Sequence, residues 1–416
     1  MPAPRSSPPL LADFEHQDEV FASAFSVLQQ AITQQAFPAA SIAVTNRGSL
    51  IALKALGSFT YDEVENEIKA GAPPFSRTLR EGGGFDLKSV AQEPDAPSFA
   101  SFAEGGRAAV NPTTLFDIAS LTKVVATTPM AMLLYERGLL DLDAPISAIV
   151  PEFTRDPARD LRRHEVTLRM LLAHSSGLPA HEKFFLKART RDELLQAAFT
   201  TPLAANPATR AQYSDIGFII LGLALERLAD ESLDRFAQRE IFAPLAMTST
   251  TFNPPQEIRP RIPPTADDQS FRKRIIQGEV QDENASVLGG VAAHSGLFST
   301  AEDLAKFANA MLNPGNPIFR PETVALFTRR ESAPKGTTRA LGWDTPSTPS
   351  QSGKYLSPQS FGHLGYTGTS LWIDPARQLS ITLLTNRTWP DCSNQSIKQV
   401  RPNFHNAIIQ ALEKKN

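Results

Sequence analysis

From Val124 to Tyr135 the chain carries no charged residue. A run of that length folds as a helix only if it is covered along most of its surface. Gly138 closes it, and Pro129, which has no N–H, should bend or locally break it. Just ahead, in FDIASLTKVVATTP, stand Ser120 and Lys123. Residues three apart share a helix face, so a serine and a lysine meet at the mouth of a buried helix.

The segments around this helix set the fold class. Residues 16 to 35 place Val20, Phe21, Phe25, Val27, Leu28 and Ile32 at helical spacing. AASIAVTNRGSLIALKALGSF reads as a hairpin turning at Asn46-Arg47-Gly48. Residues 120 to 250 are mostly helical, with short helices at 166 to 179 and in RDELLQAAFT and a longer one around LGLALERLADESLDRFAQREIF. TAEDLAKFANAML follows as a helix, RALGW as a strand, and SLWIDP and LSITLLTNR as paired strands turning at 374 to 377. A helix over 394 to 414 ends the chain, with Ile397, Val400, Phe404, Ile408, Ile409 and Leu412 on one face. The expected fold is an α/β body with an antiparallel sheet flanked by helices, built from N- and C-terminal segments, and an inserted all-α domain. The expected division is 13–119, 120–280 and 281–416. Residues 60 to 105 lack periodicity and read as a long surface excursion or insertion.

Composition excludes several classes. The charged fraction is 20% and the net charge -3, so no polyanion-binding surface is indicated and no nucleic-acid partner is expected. The single cysteine, Cys392, cannot form an internal disulfide or a thiolate metal cluster. No run of apolar residues is long enough to span a membrane. No signal-peptide pattern opens the sequence, which reads as cytoplasmic as given and as periplasmic or secreted if a leader was removed. Oligomeric state is left open.

Serine needs a base to become a nucleophile, and lysine can help only if burial, a helix N-terminus or other cations depress its pKa. The same N-terminus offers free N–H groups to an oxyanion. An N-capping serine beside a solvated lysine is the plain alternative. A second polar node is Tyr213-Ser214-Asp215, ahead of an apolar helix. Tyr213 is a candidate acid or base, and Asp215 can hold Lys123 or orient substrate; a simple helix cap competes with both. A third node is SFGHLGYTGTSLWIDP, with His363, Gly365, Thr367, Gly368 and Thr369. Its glycines allow close backbone approach to a ligand, or only kink an edge strand. His174 and His294 each sit in a His-Ser-Gly loop; their spacing suits loop bracing better than zinc, and no metal or cofactor is expected. Asp282, Glu283 and Asn284 are expected to shape a loop near the cleft.

In order and interval these nodes resemble the serine β-lactamase and penicillin-binding-protein superfamily, whose elements begin with SxxK. The chain is most similar to the class C β-lactamase and esterase branch. LLAHSSGLP and DENASVLGGVAAHSGLFSTAEDLAKF also resemble that branch, over about 20 to 45 and 110 to 410. The resemblance implies an acyl-enzyme serine hydrolase. Ser120 would be acylated, Lys123 would activate it, and Tyr213 would relay protons. The N–H groups of Ser120 and Tyr366 would form the oxyanion hole. His363 would stand beside the substrate carboxylate, with Asp215, Gly365, Thr367 and Thr369 also at the substrate.

Two departures bear on substrate. Asp215 replaces an asparagine donor, and a carboxylate only accepts. His363 and Leu364 replace Lys-Thr, leaving Thr367 and Thr369 as candidates to restore a donor. The expected substrate is therefore a small ester. The alternatives are a D-alanyl-D-alanine carboxypeptidase acting on a peptidoglycan-like amide, a β-lactamase, and an inactive binding protein of the same fold. The Gly-x-Ser-x-Gly elbow of Ser-His-Asp hydrolases is absent around Ser120, and HExxH is absent throughout.

Overall fold

The structure is a computed structural model that describes residues 10–61, 108–155, 160–313 and 318–415. The expected excursion lies outside the described residues from position 62 on.

The chain opens with strand β1 (Leu11–Ala12), helices α1 (Gln17–Val20) and α2 (Ala22–Thr33), and a hairpin of β2 (Ala39–Asn46) and β3 (Ser49–Gly57). The expected first helix is thus two helices meeting at Phe21. The hairpin turns where the sequence places it, because Arg47 and Gly48 both take left-handed φ angles, 49° and 80°. The short strand β4 (Phe116–Asp117) leads into the nucleophile helix.

That helix changes form along its length. A 3₁₀ turn at Ala119–Leu121 gives way to a π turn at Lys123–Thr127, and only then to α3 (Thr128–Glu136). Pro129 lies in the first turn of α3, where a missing N–H costs nothing. The wider π turn absorbs the break ahead of it. Helices α4 (Leu168–Leu172), α5 (Arg191–Thr200), α6 (Asp215–Ala229) and α7 (Leu233–Ala237) follow. The middle of the chain is less purely helical than its sequence suggests. It includes β5 (Thr251–Phe252) and a ribbon of β6 (Pro264–Asp268) and β7 (Arg274–Gln277).

Helix α8 (Glu283–Val287), strand β8 (Leu297–Ser299) and helices α9 (Ala301–Leu312) and α10 (Pro321–Thr328) lead back to the sheet. RALGW is not a strand. Gly342 adopts φ 84° and Ala340 N–H donates to the Trp343 carbonyl at 2.9 Å, so the segment is a tight turn. Strands β9 (Phe361–Leu364), β10 (Ser370–Asp374) and β11 (Leu379–Thr385) and helix α11 (Ile397–Lys415) complete the chain.

The main sheet runs β1-β3-β2-β11-β10-β9. N- and C-terminal strands join at β2 and β11, antiparallel, with Ile42 opposite Leu383. All seven residues of β11 are buried, as a central strand covered on both faces must be. One face packs Ile42, Val44, Trp372, Ile381 and Leu383 against Phe25 and Leu28 of α2 and Phe404 and Ile408 of α11. The other face shares a single core with the helical segments, joining Ala43, Leu371 and Ile373 to Phe307, Val124, Leu171 and Phe218. The fold is therefore the expected α/β sheet flanked by helices, with a helical region inserted. Strand β9 is the edge beside that region, and the 3₁₀ turn of Ser120 packs against it.

Candidate active site

Ser120 is held by its neighbours. Ala119 sits in the left-handed region at φ 47°, and its N–H donates to Asp117 Oδ1 at 2.8 Å. Thr122 Oγ1 donates to the Ala119 carbonyl and accepts from Leu297 N–H at 3.1 Å. The turn is thereby stitched to β8. Thr127 extends the seam by donating to the Ala293 carbonyl at 2.7 Å.

Lys123 is fully buried, and three oxygens surround its nitrogen. Nζ lies 2.7 Å from Asp215 Oδ1, 2.8 Å from the His294 carbonyl and 3.1 Å from Ser120 Oγ. Burial lowers its pKa, and Asp215 partly restores it. Tyr213 Oη lies 2.7 Å from Ser120 Oγ. Burial and Asp215 push the Tyr213 phenol well above its ordinary value, so it rests protonated. The Lys123 ammonium also lies 4.9 Å from the Tyr213 ring centre.

Local sequence explains how the second node is presented. Ser214 caps α6 by accepting from Gly217 N–H at 3.0 Å and donates to the Pro179 carbonyl. His174 Nδ1 accepts from Ser214 N–H at 3.1 Å, and the ring packs 4.7 Å from Tyr213. His294 reaches the site through its carbonyl, while its ring pairs with Asp282 at 3.1 Å. Both histidines brace loops.

The third node divides: His363 and Gly365 line the cleft of Ser120, and its two threonines do not. Thr367 and Thr369 are fully buried, and their hydroxyls donate to the carbonyls of Asp117 (2.7 Å) and Ile118 (3.1 Å). They fasten the β9–β10 loop to the nucleophile turn instead of facing substrate. Gly365 serves the same contact, since a Cβ there would lie 2.6 Å from the Ile118 carbonyl. His363 is buried beside Lys123 and Arg339. Burial first, then those cations, holds its imidazole neutral, well below the usual value. Its Nδ1–H donates to the Leu364 carbonyl at 2.8 Å. It lines the cleft as a neutral side chain. Asp215, expected at the substrate, spends its charge on Lys123.

Among the described residues the Ser120 and Tyr366 backbone N–H groups have no acceptor, and both residues border the cleft. This cleft has a volume of about 660 Å³. One wall carries Arg387, Lys398 and Arg401, which have no carboxylate partner among the described residues. Arg387 Nε donates to the Tyr366 carbonyl at 2.7 Å, and Arg401 Nη2 to the Gly365 carbonyl at 2.6 Å. Sequence reading missed these arginines because nothing around them marks chemistry. Arg401 sits in an ordinary amphipathic helix. A larger hollow, about 1050 Å³ between α1, α2 and α11, includes none of these groups.

The model of the beta-lactamase family matches residues 24–397. The chain belongs to the beta-lactamase family. This family member is a serine hydrolase of the β-lactamase and esterase superfamily. It is 33% identical over 360 residues to "N-acetylmuramyl-L-alanine amidase" of Bacillus subtilis (strain 168), covering 78% of this chain and 79% of the relative. It is 30% identical over 382 residues to "Putative D-alanyl-D-alanine carboxypeptidase" of Salmonella agona (strain SL483), covering 84% of this chain and 86% of the relative. The solved structure of "EstCE1, a hydrolase with promiscuous acyltransferase activity" superposes with a TM-score of 0.69 at 18% identity, over 94% of this chain and 99% of that one. At that identity the likeness concerns the fold of this beta-lactamase family member. No helix among its described residues is long and apolar enough to cross a membrane.

Proposed function

We propose that the protein hydrolyses an amide through an acyl-enzyme on Ser120 and releases an amino acid with a free carboxylate. D-alanyl-D-alanine carboxypeptidase action on cell-wall peptides is the specific form. The observation that carries this reading is the cationic wall of Arg387, Lys398 and Arg401 in the cleft of Ser120, none of them paired with a carboxylate among the described residues. Lys398 is exposed, and Arg387 and Arg401 are buried but meet only neutral oxygens among the described residues, so the wall keeps its positive charge for a ligand anion. The relatives add support, since the amidase and the carboxypeptidase are both amide hydrolases by name. Sequence reasoning ranks small esters first; these two observations favour the amide.

In this reading the proton roles follow the electrostatics. Lys123, depressed by burial, takes the proton of Ser120 as Oγ bonds to the carbonyl carbon. The N–H groups of Ser120 and Tyr366 receive the oxyanion. Tyr213, protonated at rest, gives its proton to the leaving nitrogen as the C–N bond breaks. The ammonium of Lys123 then reprotonates Tyr213, and water releases the acyl group by the reverse sequence. Sequence reasoning leaves Tyr213 as acid or base; its raised pKa supports the acid.

The test compares an acetylated peptide ending in D-Ala-D-Ala, its C-terminal amide, muramyl-L-alanine and p-nitrophenyl butyrate. The free-acid peptide should exceed its amide at least tenfold in kcat/KM. Ester turnover without any peptide or muramyl turnover would return the ester reading.

A further inference from the structure

The carboxylates around the Ser120 turn are not equally provided for. Asp215 has Lys123, and Asp282 has His294. Asp117, 2% exposed, has no ion pair among the described residues; Arg272, nearby, is engaged by Asp268 at 2.8 Å. Its two oxygens instead each accept one backbone N–H, Oδ1 from Ala119 at 2.8 Å and Oδ2 from Gln281 at 2.7 Å. Its own carbonyl accepts the Thr367 hydroxyl. One residue thus ties together the turn of Ser120, the segment leading to Asp282, and the β9–β10 loop. The turn needs the tie, because Ala119 occupies the left-handed region, which a residue with a Cβ avoids.

We propose that Asp117 is a positioning residue that holds Ser120 in attacking geometry, and that it does so only as a carboxylate. The proposal rests on Ser120 being the acylated nucleophile. An ionised carboxylate offers an acceptor to both N–H groups; a protonated one turns an oxygen into a donor facing an N–H. Burial pushes Asp117 up to about 6, and Asp282 adds to the rise. The Gln281 and Ala119 N–H groups and Arg272, from the β6–β7 ribbon, oppose it. Thr367, from the β9–β10 loop, adds no charge. The clamp is therefore complete at neutral pH and lost below about pH 6.

The experiment measures the rate of Ser120 labelling by a fluorophosphonate from pH 4.5 to 8, and thermal unfolding over the same range, in wild type and Asp117→Asn. The amide retains one acceptor and cannot titrate. At pH 7.5 D117N should label about 10- to 100-fold more slowly, the scale of one lost buried hydrogen bond. It should also lack the wild-type loss near pH 6; the acid limb that survives belongs to Lys123. Unfolding gives a readout independent of activity. Native Asp117 binds its proton more tightly than the unfolded chain does, so wild type should lose stability relative to D117N as pH rises from about 4 to about 6. A second variant, Ala119→Gly, removes the left-handed strain and should recover several-fold of the acid-side loss. Identical pH–rate shapes in wild type and D117N, or no recovery in A119G, would overturn the proposal. If wild type is labelled elsewhere than Ser120, the functional reading fails, and a pH-independent stability difference then overturns the role of Asp117 as well.

Discussion

The two sides of the main sheet bury the same kind of surface and do different things with it. Against α2 and α11 the sheet packs Phe25, Leu28, Trp372, Phe404 and Ile408, a mostly apolar layer whose buried polar contacts include Ser370 of β10 and His405 of α11, 3.1 Å apart. At the β9 edge, where the helical segments meet the sheet, the buried groups include Lys123, Asp117, His174, His294 and His363. The first side is stabilised by area, at about 25 cal/mol per Å² removed from water. The second is held together by matched donors and acceptors, and each charge there lowers stability unless it is paired. Stability and chemistry are thus carried by different layers, and variants can separate them.

The largest effect should come from Ser120→Ala. It should lower turnover by about 10⁴-fold or more while stability changes by less than about 1 kcal/mol, read by product release and thermal unfolding. Equal loss in both would break the comparison. Next is Phe404→Ala on the far side, which should cost about 3–5 kcal/mol in denaturant unfolding and leave kcat per folded molecule unchanged. Smaller again are Lys123→Arg and Tyr213→Phe. The arginine keeps a cation beside Asp215 but cannot act as base, and the phenylalanine keeps the ring without its proton. Each should slow acylation about 100-fold, and the double variant should be little worse than the poorer single one. In wild type the acylation rate should rise with pH through the lowered pKa of Lys123, because only the neutral amine accepts the proton. Smallest is His363→Gln. His363 is neutral well below pH 6.5, so the variant should leave the pH profile between about 5 and 8 unshifted. A shift of half a unit or more would show that the imidazole titrates in the working range.

Much of the fold was legible because it follows periodicity. The alternation in SLWID and LSITLLT and the helical stripe from Ile397 to Leu412 need a core, whatever the function. RALGW misled because its composition suits a strand, while Gly342 closes against Thr128, more than two hundred positions earlier in the chain. The ribbon at β6 and β7 was missed because its strands are short and polar. At the site, Ser120, Lys123 and Tyr213 announced themselves by residue type and place. Thr367 and Thr369 looked like substrate donors until their hydroxyls were found on the Asp117 and Ile118 carbonyls.

By itself the sequence determined the sheet built from both ends of the chain, the buried helix behind Ser120 and the family to which they belong. Apolar periodicity and local motifs are properties of neighbouring residues. Only the tertiary structure decided which charges meet. It set Asp215 on Lys123, kept His363 neutral, placed Arg387 and Arg401 beside the cleft and gave Asp117 its two N–H partners. Those outcomes depend on burial and on distances of a few ångströms between segments far apart in the chain, and in a low-dielectric interior such distances set the protonation state of each group.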